Sequence, residues 1–283
     1  MSEKNTVTSL LEMKNRGEKI SQLTCYDYST ARLVDAAGIN TVLVGDSLGM
    51  TMQGYENTLP VTMEEMICYG RSVVRGCKKA FVIMDMPFMS YQVSVEQAVL
   101  NAGRLIKETG ANAVKLEGGA DVAAQIKAIV DSGIPVCAHI GMTPQSVNVF
   151  GGFKVQGKGE ANARRVLMDA LAVQEAGAFM VVLECVPPKL SALITKKVDM
   201  ITIGIGAGAG CDGQVLVYQD MLGMSGDFVP KFVKRFAEIG ESMKKAFQEY
   251  DAEVKAGSFP TAEQTYAKSD CSDEFLTVLD KEV

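Results

Sequence analysis

One motif recurs along the chain and limits the folds open to it: a helical stretch closes on glycine, and a short apolar run begins at once. It occurs at Ala37-Gly38-Ile39-Asn40, Thr109-Gly110-Ala111-Asn112, Ser132-Gly133-Ile134-Pro135 and Ala176-Gly177-Ala178-Phe179. Glycine closes a helix well because it adopts the left-handed conformation without a Cβ penalty. The β-rich apolar runs cover residues 20–25, 41–44, 80–84, 113–116, 136–138, 180–183, 200–203 and 214–218. Near-continuous runs of this kind suit parallel strands buried on both faces. Between them lie helical patterns. Thr62 with Glu65, and Ser94 with Gln97, have capping-box spacing, and Ala98, Val99, Ala102, Leu105 and Ile106 follow on one face.

Eight strands alternating with helices predict an α/β fold, and eight is the number that closes a (β/α)8 TIM barrel of roughly 250 residues. The expected organisation is a single barrel domain over residues 1–283, with a short N-terminal extension and a C-terminal helical tail. The charged stretch 231–255 is expected to be helical, and the polar last residues to be loosely held. A doubly wound dinucleotide-binding sheet would need G-x-G-x-x-G after the first strand, and nothing of that form follows residues 20–25.

Composition removes other classes. The 28 basic and 34 acidic residues give a net charge of −6, with no basic block that would suit nucleic acid or an anionic membrane. Seven Cys, an odd number without a C-x-x-C pair, argue against a disulfide scaffold or structural zinc. No apolar run approaches the roughly 18–20 residues needed to cross a bilayer, and no signal-peptide pattern opens the chain, so a cytoplasmic protein is expected. The 16 Met are expected to fill the core.

The strand ends carry the chemistry. The first run leads into Tyr26-Asp27, the second into Gly45-Asp46-Ser47, and the third into Asp85. The fourth contains Lys115 and ends at Glu117, the fifth ends at His139, and the sixth at Glu184. A single acid there is usually a helix cap or a solvated loop residue. In a barrel, however, all these ends open onto one face, where active sites sit. Clustered carboxylates repel and invite a cation, and the hard oxygens of Asp46, Asp85 and Glu117 suit Mg²⁺. Such a cation can hold a 2-oxo acid and stabilise the negative charge left when the adjacent carbon loses a proton. Glu184 is the candidate base. Lys115 either neutralises the substrate carboxylate or forms a structural ion pair. His139, the only His, is either a hydrogen-bonded mouth residue or a donor to the substrate. Ser47 is a ligand contact or a turn residue. The run Gly204-Ile205-Gly206-Ala207-Gly208 is a tight turn or a place where a ligand approaches the backbone.

On these residues the chain resembles the ketopantoate hydroxymethyltransferase family, from about residue 23 to about 260. The segments that carry the resemblance are Leu-Thr-Cys-Tyr-Asp-Tyr at 23–28, Val-Gly-Asp-Ser-Leu-Gly-Met at 44–50, Asp-Met-Pro-Phe-Met at 85–89 and Val-Lys-Leu-Glu-Gly-Gly at 114–119. They continue with His-Ile-Gly-Met-Thr-Pro-Gln-Ser-Val at 139–147, Gly-Gly-Phe-Lys-Val-Gln-Gly at 151–157, Leu-Glu-Cys-Val-Pro at 183–187 and the 204–208 run. The resemblance implies a barrel of the phosphoenolpyruvate/pyruvate type. It implies transfer of a hydroxymethyl group from 5,10-methylenetetrahydrofolate to 3-methyl-2-oxobutanoate, giving 2-dehydropantoate for pantothenate biosynthesis. It places Mg²⁺ at Asp46, Asp85 and Glu117, the 2-oxo acid at Asp46, Ser47, Asp85 and Lys115, and the proton acceptor at Glu184. His139 matches a site position of the family pattern. A homo-oligomer, a decamer, is also implied. Two other readings remain open on the residues alone: a related metal-dependent lyase or aldolase, and a non-catalytic barrel. Gly70 stands where the family often has His, inside a predicted helix, at an expected cost of about 1 kcal/mol relative to Ala.

Overall fold

The computed structural model describes residues 4–152, 154–226, 229–266 and 271–282; Phe153, in the 151–157 segment, lies outside them. Eight strands form a closed, all-parallel barrel in sequence order: β1 Ile20–Thr24, β2 Thr41–Val44, β3 Phe81–Asp85, β4 Ala113–Glu117, β5 Val136–Gly141, β6 Met180–Glu184, β7 Ile201–Ile205 and β8 Gly213–Leu216. The helices are α1 Val7–Asn15, α2 Tyr28–Ala36, α3 Leu48–Thr51, α4 Met63–Gly76, α5 Val95–Thr109, α6 Ala123–Asp131, α7 Val147–Phe150, α8 Glu160–Glu175, α9 Pro188–Lys197, α10 Tyr218–Met221, α11 Ile239–Ala256 and α12 Asp273–Glu282. Each of the eight apolar runs overlaps one strand. The eighth differs most: it stops at Leu216, because the Tyr218 N–H donates to Thr24 Oγ1 instead of a ladder carbonyl, and Tyr218 opens α10.

Local chemistry sets the boundaries. Gly38, Gly110, Gly133 and Gly177 all have positive φ, from 80° to 98°, so each of the four expected stops is a left-handed helix end. Thr62 and Glu65 form a reciprocal capping box on α4. Ser94 accepts from the Gln97 N–H, but Gln97 does not reach back; its Oε1 is buried without a hydrogen-bond partner, so only half of the second box forms. Asp27 takes the bland role, capping α2 through the Thr30 N–H.

The core has two layers. Inside the barrel, Leu43, Phe81, Ile83, Cys137, Met180, Val182, Ile201 and Ile203 pack together. Leu10 of α1 closes the bottom of this layer, fully buried, and Lys14 Nζ ties α1 to the Val198 and Met200 carbonyls and to Asp212. Outside, α2 packs on α4, α4 on α5, α5 on α6, α6 on α8 and α8 on α9. Gly70 belongs to this second layer: a Cβ there would stand 2.4 Å from Met84 Cε and 3.0 Å from Thr109 Cγ2. Its helix-propensity cost is therefore offset by close seating of α4 on β3 and α5.

The helix expected over 231–255 starts only at Ile239. Residues 229–238 are held back by the fold: the Phe236 N–H donates to Met221 O, the Ile239 N–H to Leu222 O, and Phe232 packs on the barrel interior. Neither α11 nor α12 buries a residue. Among the described residues no helix is long and apolar enough to cross a membrane.

Candidate active site

Strand register assembles the site. Side chains alternate along a strand, so Lys115 and Glu117 of β4 point the same way, into the barrel. Asp85 is the register partner of Lys115, and Glu117 is that of His139. Asp46 follows β2 after Gly45, and Glu184 ends β6 one strand beyond His139. Asp46, Asp85, Lys115, Glu117 and His139 are all buried; the Glu184 side chain is more open, at 16%.

These six side chains form one connected array. Lys115 Nζ lies 2.5 Å from Asp85 Oδ1 and 3.9 Å from Glu117 Oε1. The Asp46 N–H donates to Asp85 Oδ2 at 3.2 Å. His139 stands between two acids, with Nδ1 3.3 Å from Glu117 Oε1 and Nε2 3.3 Å from Glu184 Oε2. Both contacts are at ion-pair distance but outside hydrogen-bond geometry, so both ring nitrogens lack a directed partner. Ser47 sits at the edge, its Oγ 2.7 Å from the Tyr26 hydroxyl. A Cβ at Gly45 would lie 2.9 Å from Ser47 Oγ and 3.6 Å from Asp85 Oδ2, so the missing side chain leaves a cradle between those oxygens.

Four carboxylates face one ammonium and one imidazole, and their titration reflects it. Burial, then the charges of Asp85 and Glu117, hold the Asp46 carboxyl well above the usual range. Asp85 is also raised, by burial first, with the Lys115 ammonium opposing. Glu117 is lowered: His139 and Lys115 outweigh the burial penalty. Burial and Lys115 press the His139 value down, but Glu117 and Glu184 prevail and push it up to about 9. Acids held above their ordinary pKa by burial first, and by neighbouring carboxylate charge second, mark a pocket that a cation would relieve.

The donor set fits a divalent cation of a particular kind. Among the described residues no three His, Cys, Asp or Glu side chains form a ready-made ligand cage. Lys115 occupies Asp85 Oδ1, Gln145 occupies Asp46 Oδ2, and the two Glu117 oxygens face the Gln145 N–H and His139. Asp85 Oδ2, which also accepts the Asp46 N–H, borders the Gly45 cradle, and a carboxylate oxygen has a second lone pair to offer a cation there. Mg²⁺ commonly binds through one or two carboxylates and takes its other oxygens from water and substrate.

Three residues of the array escaped sequence reasoning. Gln145, in the turn after β5, donates from Nε2 to Asp46 Oδ2 at 2.8 Å and to Met86 O, and from its backbone to Glu117 Oε2 at 2.9 Å. Tyr91 donates to Gln145 Oε1 at 2.7 Å, and its oxygen accepts the Glu117 N–H. Tyr26 holds Ser47. Neutral side chains carry no acid–base signature; the only signal for Gln145 was its place in the 139–147 segment. The 204–208 run is packed by its own chain: a Cβ on Gly206 would meet Phe232, and one on Gly208 would meet Pro188.

Comparison with known proteins gives the family and the fold. The family model for ketopantoate hydroxymethyltransferase matches residues 4–262. A 3-methyl-2-oxobutanoate hydroxymethyltransferase of Clostridium novyi (strain NT) is 65% identical over 263 residues, covering 93% of this chain and 96% of the relative. Among solved structures, a phosphoenolpyruvate phosphomutase from Streptomyces platensis subsp. rosaceus superposes with a TM-score of 0.61 at 14% identity, covering 98% of this chain and 95% of the other. A 2,3-dimethylmalate lyase of the PEP mutase/isocitrate lyase superfamily gives a TM-score of 0.57 at 13% identity, covering 98% of each chain. At such identities these two likenesses concern the fold alone, a barrel of the phosphoenolpyruvate mutase type.

Proposed function

The chain belongs to the ketopantoate hydroxymethyltransferase family, and from that premise we infer that its barrel mouth converts 3-methyl-2-oxobutanoate to an enolate with Glu184 as the base. The enzyme is a hydroxymethyltransferase of pantothenate biosynthesis, and 5,10-methylenetetrahydrofolate is its co-substrate. The observation that carries the mechanism is the array itself: surplus carboxylates around Lys115 and His139, with one acid, Glu184, set apart at the open side.

Asp46 and Asp85 would hold Mg²⁺ at the Gly45 cradle, with Glu117 completing the anionic set. When bound, the cation supplies positive charge beside the oxygen on which the enolate's charge develops. The other roles belong to the chain. Lys115, held charged by three acids, offers its ammonium to the substrate carboxylate while remaining paired with Asp85. Ser47, fixed by Tyr26, borders the same end of the substrate. Glu184 Oε2 accepts the proton from C3. His139, between Glu117 and Glu184 at 3.3 Å from each, would stabilise the charge of Glu184 and hold it near the other acids of the array. Water adds to the methylene carbon of the folate donor and tetrahydrofolate leaves, giving a one-carbon unit at the aldehyde level; the enolate carbon bonds to that carbon as its C=O π pair moves to oxygen, which takes a proton and becomes the hydroxyl.

Two further readings follow from the same premise. A cytoplasmic site agrees with the free thiols of Cys25, Cys68, Cys77, Cys137, Cys185 and Cys211. A homo-oligomer, a decamer in the family pattern, agrees with the wholly unburied α11.

The test is ¹H NMR of 3-methyl-2-oxobutanoate in D₂O. Wild type with Mg²⁺ should exchange the C3 proton and an EDTA control should not; Glu184→Gln should lose about 10²–10⁴-fold in exchange rate. Wild-type exchange in Glu184→Gln would remove that residue from the base role. Exchange untouched by EDTA would remove the cation from Asp46 and Asp85.

A further inference from the structure

The mouth changes polarity abruptly at Glu184. Going round the barrel, the inward positions near the top are Asp85 on β3, Lys115 and Glu117 on β4, His139 on β5 and Glu184 on β6, all ionisable. The next strand presents Ile205 at the register position of Glu184, and Ile205 belongs to the apolar barrel interior. An aromatic side chain from a distant part of the chain extends this apolar sector. Phe232, in the irregular segment before α11, packs on the same interior cluster. Its ring also closes on the end of β7: a Cβ on Gly206 would stand 2.9 Å from Phe232 Cδ1 and 3.4 Å from Cys185 Sγ. Gly206 has φ +63°, so both its conformation and the space beside it favour glycine. Gly206 therefore leaves room for both the Phe232 ring and Cys185 Sγ, and Cys185 directly follows Glu184.

The substrate has the same polarity division. Its carboxylate and keto oxygens belong with the cation site and Lys115. C3, which gives up the proton, must lie at Glu184, and C3 carries two methyl groups that the ionisable half of the mouth cannot accommodate without desolvation cost. We propose that Phe232, with Ile205, is the specificity-determining wall that receives the C3 methyl groups, so that the β7 side of the mouth selects the size of the 2-oxo acid's branch. This assignment rests on Glu184 as the base. Phe232 would thus discriminate among 2-oxo acids, while leaving the cation and carboxylate contacts to β2–β4.

The experiment compares two substrates in the donor-free exchange assay: 3-methyl-2-oxobutanoate, and 3-methyl-2-oxopentanoate, which is longer by one methylene. In Phe232→Ala the ratio of exchange kcat/KM, longer over shorter, should rise about tenfold over wild type, the scale on which a pocket reads one methylene. Phe232→Leu should give a smaller rise in the same direction, and carries the same readout if the alanine variant does not fold. A residue that only supports the fold would lower both substrates together and leave the ratio unmoved; a ratio within twofold of wild type in the folded variants overturns the proposal alone. Absence of C3 exchange with either substrate in wild type overturns the enolisation reading, and this assignment with it.

Discussion

Gln145 shows how much an uncharged side chain decides at the residue scale. Among the described residues it is the one that bonds the side chains of both Asp46 and Glu117, and its own acceptor is fixed by Tyr91. Two buried carboxylates with raised or opposed titration stay at fixed separation only if something between them is rigid. Gln145→Ala removes the amide donor of Asp46 Oδ2, at about 1–3 kcal/mol for a buried group left unsatisfied, while the Tyr91 hydroxyl keeps Glu117 O as an acceptor. We expect a lower urea midpoint of unfolding and weaker Mn²⁺ binding by EPR titration. Full Mn²⁺ affinity in the folded variant would mean that Asp46 needs no such brace. None of this was visible beforehand: acids at strand ends announce themselves in the sequence, while the amide that orders them looks like any turn residue.

At the scale of elements, close packing between helices is carried by glycine as much as by apolar bulk. Gly76, buried in the last turn of α4, faces α2: a Cβ there would meet Ala31 Cβ at 2.6 Å and Tyr28 O at 2.8 Å. Neither atom can swing aside, so Gly76→Ala should destabilise by about 1–3 kcal/mol through overpacking, despite alanine's better helix propensity. Thermal unfolding checks this, and a raised Tm would show that α2 moves freely over α4. The C-terminal end of α2 is tied to the start of β3 by Asp35, whose Oδ1 accepts the Lys79 and Ala80 N–H groups at 2.8 Å each. Burial opposes its charge, but these backbone donors prevail and lower its pKa. A depressed carboxylate pKa contributes stability that is full above the unfolded-state value of about 3.9 and is lost as pH falls through the lower folded value. The stability gap between wild type and Asp35→Asn, measured in urea, should therefore narrow between pH 6 and pH 3. A gap constant across that range would show that the ionised form is not what the two N–H groups require.

At the scale of the molecule, the described chain leaves α11 and α12 without a buried residue. α11 runs 18 residues without burying one, yet Ile239, Met243, Phe247, Tyr250 and Val254 form a single stripe at helical spacing, with Phe247 64% and Tyr250 60% exposed. Over β8 the chain supplies only the four-residue α10, and Gln214 of that strand is exposed. An apolar stripe of this length in water is the mark of an interface. Phe247→Glu should reduce the assembly's mass in light scattering while circular dichroism stays unchanged. A monomeric wild type, or a variant of undiminished mass, would count against α11 as an assembly element.

The sequence by itself determined the alternation of strands and helices, the four glycine stops, the barrel class and the family, because these follow from local periodicity, backbone freedom and segments that are adjacent in the chain. It also supplied the ionisable members of the site, since a strand end is readable from where an apolar run stops. It could not separate the capping acid Asp27 from Asp46 and Asp85, which look alike until the barrel closes. Nor could it supply Gln145 and Tyr91 as braces, Gly70 as a packing need, or the place of Phe232. Those depend on side chains far apart in sequence meeting across strands and loops, and only tertiary structure sets such distances. The helix expected from 231 failed for the same reason: its charges suited a helix, but contacts with the barrel mouth and with α10 held residues 229–238 in another path until Ile239.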